Sequence, residues 1–179
     1  MRKNNTMKIA LCGVTGALCI TILMMGFLFP FATYACPAVA ACCLLPIIYE
    51  YGQKTAFTLY VAVSFLGLML VPEQELIFMF IFVFGLYTVV KFSIDRIKNK
   101  AARFGVKLMF INLALTVSYG LLLFVFPVAA LVNEFSDYGL MFTALLIAMF
   151  NLVFFMYDKA AERVMLLYIY KLRPKIFRR

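Results

Sequence analysis

The sequence predicts an all-α integral membrane protein. Residues 1–179 form a single domain of six transmembrane helices in one compact bundle, with both termini cytoplasmic. Three observations predict it. Hydrophobic residues make up 66% of the chain and charged ones 14%, against about 45–50% and about 25% in soluble domains. A water-soluble fold of this composition would expose large apolar patches. Charge-free intervals recur at lengths suited to helices that cross a bilayer. Finally, all 17 Lys and Arg residues fall on one side of the six-span arrangement.

The charge-free intervals place the elements in order. The first, 9–49, is too long for one crossing and suits two. It carries its own breaker, "PFATYACP", with Pro30 and Pro37 bracketing a turn. The spans expected from it are 9–30 and 35–51. The intervals 55–72, 76–90, 108–133 and 138–157 then predict spans 55–72, 75–93, 108–130 and 139–160. The fourth interval is short for a crossing, and Lys91 is expected to extend it by snorkelling to the interface. The start, "MRKNNTMK" before an apolar run, has the outline of a signal peptide, and "TYAC" that of a lipoprotein cleavage site. The run is longer than a signal core, and Tyr34 is a poor fit to the small residues such a site prefers, so the segment reads as the first span.

Orientation follows from the positive-inside rule. The basic residues occupy the N-terminus (Arg2, Lys3, Lys8), the second turn (Lys54), the central loop and its flanks (Lys91, Arg96, Lys98, Lys100, Arg103, Lys107) and the C-terminal segment from Lys159. The outer turns carry only Glu73, Glu75, Glu134 and Asp137. The central loop is thus a topology signal first and a contact for anionic lipid headgroups second. No recognition motif accompanies the charge, so no nucleic-acid partner is expected. The protein is placed in the plasma membrane, with the lipid bilayer as its surroundings.

Function classes narrow in the same way. The chain has no histidine, which removes the usual proton shuttle and a common metal ligand. Its five cysteines, Cys12, Cys19, Cys36, Cys42 and Cys43, include no C-x-x-C pair and read as small hydrophobes within helices. No metal and no cofactor is expected. No charge lies near a predicted midplane, which argues against an ion-driven carrier and against an intramembrane hydrolase; the chain is not expected to be an enzyme. Tyr87, Asn112 and Asn151 lie at similar depth on three spans and are expected to hydrogen-bond across helices, as structural glue or as ligand contacts. Ser64, Ser118 and Tyr119 lie further out, followed by Thr143, Asn133 and Tyr34. On the first span, Gly13-x-x-x-Ala17 sets two small side chains on one face, either for close packing inside the bundle or for docking of another subunit.

Six spans in this length, both ends inside, and the small-x-x-x-small face after "MKIALCGVTGAL" resemble the substrate-binding S-components of energy-coupling factor (ECF) transporters. "FGLYTVVKFSIDRI", Phe84 to Ile97, also resembles a G-x-Y-x-x-x-K segment in that group. The resemblance implies a subunit that captures a small nutrient, often a vitamin. A separate transmembrane coupling subunit and ATP-hydrolysing subunits would drive uptake, with Gly13 and Ala17 docking the former. A membrane scaffold of the small six-span cell-shape kind, like MreD, is the alternative; it would need no polar outer pocket.

The ligand's charge can be argued from the residues. A site in the outer halves would lack a side-chain cation, so an anionic group bound there would be buried unpaired. A neutral or cationic ligand with a ring or other apolar surface is therefore expected. The candidate contacts are Tyr34, Glu73, Glu75, Tyr119, Asn133 and Thr143, the aromatics stacking and the carboxylates orienting. The alternative use of Glu73 and Glu75 is to cap the fourth helix at its positive end.

Overall fold

The computed structural model describes residues 2–29, 32–125 and 140–176. Among these residues there is no strand. The chain runs α1 (Arg2–Leu28), α2 (Ala35–Cys42), α3 (Leu45–Tyr51), α4 (Gln53–Leu70), α5 (Gln74–Ile94), α6 (Lys100–Val125) and α7 (Leu140–Leu167). A π-helical turn, Tyr168–Leu172, then leads into the short α8 (Arg173–Ile176). Four helical stretches are long and apolar enough to cross a membrane: Thr6–Leu28, Gln53–Leu70, Gln74–Ile94 and Lys100–Leu121.

Two connections show how the sequence sets the boundaries. The second expected span, 35–51, is a shorter apolar helical stretch, Ala35–Tyr51, interrupted where α2 gives way to α3. The chain turns at Cys43 and Leu44, and Pro46 sits in the first turn of α3. Proline has no N–H and its ring clashes with the preceding turn, so it starts a helix more readily than it continues one. Gly52, at φ 84, then reverses the chain directly into α4, a conformation that glycine adopts at little cost. At the other end of α4, Pro72 holds Val71 in an extended conformation and the helix stops there.

The core is built around α5. Its most apolar window is 67% buried, against 28% in each of the other three long apolar stretches. Leu76, Ile77, Met79, Phe80, Phe84 and Tyr87 are almost wholly enclosed. α1, α2, α4 and α6 all pack on it. Seven residues of α5, Met79–Gly85, form a π-helical segment. Here the Tyr60 hydroxyl of α4 donates to the Ile81 carbonyl at 2.6 Å, and the Tyr60 ring lies against Gly85. A Cβ at Gly85 would meet the Phe80 carbonyl oxygen at 2.6 Å and Tyr60 Cε2 at 2.9 Å. The first of these is backbone and cannot turn aside. Gly85→Ala is therefore expected to cost about 1–3 kcal/mol through overpacking, read as a lowered unfolding midpoint in detergent. Gly13→Ala, whose added Cβ meets nothing within 4 Å, is the matched control and is expected to leave the midpoint unchanged.

The cysteines behave as small hydrophobes. Cys19 is buried and its thiol donates to the Ala40 carbonyl, while the other four are partly buried; none is in a disulfide.

Candidate functional site

Two polar clusters stand at opposite ends of the bundle. The first gathers where α1 leads into α2, α4 leads into α5, and α6 passes alongside. Tyr34 immediately precedes α2, Glu75 lies in the first turn of α5, and Tyr119 projects from α6. The Tyr34 hydroxyl donates to Glu75 Oε1 at 2.7 Å, and the Tyr119 hydroxyl donates to the same oxygen at 3.1 Å. The two phenol oxygens are 3.4 Å apart. The Tyr34 ring also meets Phe150 of α7 edge-on, with centroids 6.1 Å apart. Beside them, the Thr33 hydroxyl donates to Glu73 Oε1 at 3.3 Å.

Four of the six residues singled out for ligand contact, Tyr34, Glu73, Glu75 and Tyr119, therefore share one end, and three form one hydrogen-bonded group. Asn133 lies outside the described residues. Thr143 is on α7, and its side chain is likewise outside the described set. The alternative use of the carboxylates fits their placement: Glu73 occupies the N-cap position of α5, without a side-chain cap bond, and Glu75 lies in its first turn, at the positive end of the helix. Burial pushes the Tyr34 phenol up to about 12, so it remains a proton donor at neutral pH. Burial also raises the Glu73 carboxyl; the Thr33 hydrogen bond opposes that rise and the charge of Glu75 adds to it. Among the described residues no cation stands at this end, and two phenols and two carboxylates present a chemistry suited to a positive or hydrogen-bond-donating group.

Gly13 and Ala17 are both exposed on α1 among the described residues. Gly16 and Gly26 are the α1 glycines buried in the bundle; an added Cβ would stand 3.3 Å from Leu59 Cδ1 at Gly16 and 2.9 Å from Cys36 Cβ at Gly26.

The second cluster is not among the sites the sequence suggests. Lys91 of α5 does not snorkel: it is 4% exposed. It pairs with Asp158 of α7, with Asp95 at 3.4 Å and with Glu162 at 3.3 Å. Lys107 of α6, also buried, pairs with Asp158 at 2.7 Å and Asp95 at 2.9 Å. Lys91, Asp158, Lys107 and Asp95 thus close a square in which each carboxylate bridges both ammonium groups. Tyr87 donates to Asp158 at 2.5 Å, and the Thr88 and Tyr157 hydroxyls lie 2.6 Å apart beside it. Three helices are joined by this square. The expected layer of Tyr87, Asn112 and Asn151 is correspondingly divided. Asn112 and Asn151 pair reciprocally across α6 and α7 at 3.3 and 3.4 Å, whereas Tyr87 belongs to the charge square. A signal was present in the sequence: Lys91, Lys107 and Asp158 each terminate a charge-free interval at the same end, and opposite charges at matched depth on neighbouring helices are natural partners.

At the same end, Arg173 Nε meets Glu50 Oε1 at 2.8 Å and its guanidinium lies 5.2 Å from the centre of the Tyr49 ring. This ties α8 to α3. Among the described residues, no group of three or more His, Cys, Asp or Glu is placed to hold a metal ion.

Comparison of the chain with protein-family models, with curated proteins and with solved structures finds no match.

Proposed function

We propose that this chain is the substrate-capturing subunit of an energy-coupling factor type nutrient uptake transporter in the plasma membrane. In this reading it has six spans and cytoplasmic termini. It takes a neutral or cationic small molecule at the Tyr34–Glu75–Tyr119 cluster and relies on a transmembrane coupling subunit and ATP-hydrolysing subunits for energy. The observation that carries the reading is that cluster: two tyrosines and a carboxylate from the start of α2, from α5 and from α6, assembled at the end of the bundle that has no basic side chain among the described residues. A cell-shape scaffold has no need of such a group. The square of paired charges at the other end supports the same division of labour, because its carboxylates already hold two ammonium groups and are poor candidates for carrying a coupling ion. The exposed Gly13–Ala17 face supports docking, since small side chains permit close helix approach.

The test is to purify the protein from its native membrane and identify co-purifying small molecules by mass spectrometry. A neutral or cationic ring compound, together with a transmembrane subunit and ATPases, is the expected result. Gly13→Leu with Ala17→Leu is then expected to release the coupling subunit while the small molecule stays bound. Recovery of cell-wall synthesis proteins with no small molecule would favour the scaffold instead. Topology is checked separately. Reporter fusions that require export are expected to be active after Glu73 and after Asp137, and silent after Lys100; an active Lys100 fusion would overturn the six-span orientation.

A further inference from the structure

The basic end sorts its charges into two sets. Its carboxylates are all engaged: Asp95, Asp158 and Glu162 with the two buried lysines, and Glu50 with Arg173. The outward cations Lys100, Arg103, Lys159 and Arg163 have no ion pair among the described residues. Between them runs the seam of α6 and α7, and at this seam Phe104 and Phe155 stack, with centroids 4.9 Å apart and planes at 13°. Phe104 is 53% exposed, so the stacked rings form part of the outer wall. Further along α7, away from the basic end, the wall continues with exposed Leu152.

The antiparallel helices give this seam a definite arrangement. Lys100 precedes Phe104 by four residues on α6, and Lys159 follows Phe155 by four on α7. Residues four apart share a helix face and differ in height by about 6 Å. Each lysine therefore lies about one turn nearer the basic end than the ring on its own helix. Rings below and a pair of uncompensated cations above match an acyl chain below and a phosphate above.

We infer that the α6–α7 seam is a binding site for an anionic phospholipid. Its phosphodiester sits between Lys100 and Lys159, and an acyl chain lies on the Phe104–Phe155 stack. The general attraction of a basic protein end for an acidic leaflet becomes a defined site here because the rings fix where the chain lies and the charge square removes the competing carboxylates. This inference is independent of any transport role.

The experiment is native mass spectrometry of the full chain in neutral detergent, titrated with phosphatidylglycerol or phosphatidylcholine of identical acyl chains. At least five-fold preferential retention of phosphatidylglycerol is expected. Lys100→Gln/Lys159→Gln should remove the preference, and Phe104→Ala should weaken retention without changing charge. Lys171→Gln/Lys175→Gln, which removes as much charge elsewhere, should leave it intact. Should Lys100→Gln/Lys159→Gln fail to elute as a monodisperse species, Lys159→Gln alone, expected to lower the preference at least two-fold, takes its place. Equal retention of the two lipids would overturn the inference. So would an equal loss in the Lys171/Lys175 variant, which would indicate diffuse attraction, or displacement of the lipid by millimolar inorganic phosphate, which would indicate a site for the free anion.

Discussion

Asp158→Asn is expected to be the most destabilising single substitution at the basic end of the bundle. The carboxylate of Asp158 faces Lys91 on one oxygen and Lys107 on the other, and it also accepts the Tyr87 hydroxyl. Removing its charge leaves two buried ammonium groups sharing Asp95, with Glu162 reaching only Lys91. Breaking a buried ion pair from one side costs about 3–5 kcal/mol, because the surviving charge remains desolvated. A loss of about 3 kcal/mol is therefore expected in denaturant titrations in mixed micelles. Asp95→Asn should cost less, since that side chain is 29% exposed and water can replace part of what is lost. Lys91→Met/Asp158→Asn should cost less than the sum of its two single variants, because groups in one network do not contribute independently. If Asp158→Asn unfolds within 0.5 kcal/mol of the parent, a bound well below the roughly 3 kcal/mol expected, the square is not a structural clasp.

Glu75→Gln carries the largest expected effect on binding. It retains the shape of the cluster and the acceptor for Tyr34 and Tyr119, but removes the negative charge. Hydrogen bonds to a charged group contribute about 1.5–3 kcal/mol, so affinity for a cationic ligand should fall by roughly 10- to 100-fold. A neutral ligand should lose far less. Tyr119→Phe deletes one of the two donors to Glu75 Oε1 and should change affinity by about five-fold, in line with the roughly 1 kcal/mol of a neutral hydrogen bond. Titration calorimetry with the co-purifying compound separates these cases. Unchanged affinity in Glu75→Gln and Tyr119→Phe, or tight binding of a phosphorylated compound, would place the site elsewhere.

Much of the cluster that contains Glu75 could be read from the chain before folding. Pro30 and Pro72 follow apolar runs and Pro37 sits near the start of α2, so Tyr34, Glu73 and Glu75 had to lie near one end of the bundle, with Tyr119 one layer further in on its own helix. The hydrogen bonds that join three of them could not be read, because they depend on rotations about helix axes. The second span, 35–51, is legible as an apolar stretch, and Pro46 is the local signal for the break at Cys43 and Leu44. Lys91 departs from its expected place for a related reason. A lysine at the end of an apolar run can reach outward to water or inward to a carboxylate, and only the position of Asp158 on another helix decides between them.

The same distinction separates what the sequence alone determined from what the tertiary structure decided. Hydropathy and the placement of charge determined that the chain is helical, that its longest apolar stretches suit a bilayer, and that its basic residues collect at one end. These properties depend on each residue's preference for water over hydrocarbon, which is local and additive along the chain. The tertiary structure decided that Gly16 faces the bundle while Gly13 faces away, that α5 is the central helix, and that Lys91 and Lys107 share Asp158. In a helix apolar on every side, no polar stripe records which face points inward. That choice is made by close packing of neighbours distant in sequence, such as Leu59 against Gly16 and Tyr60 against Gly85, and by the need of each buried charge for a partner that only the assembled bundle supplies.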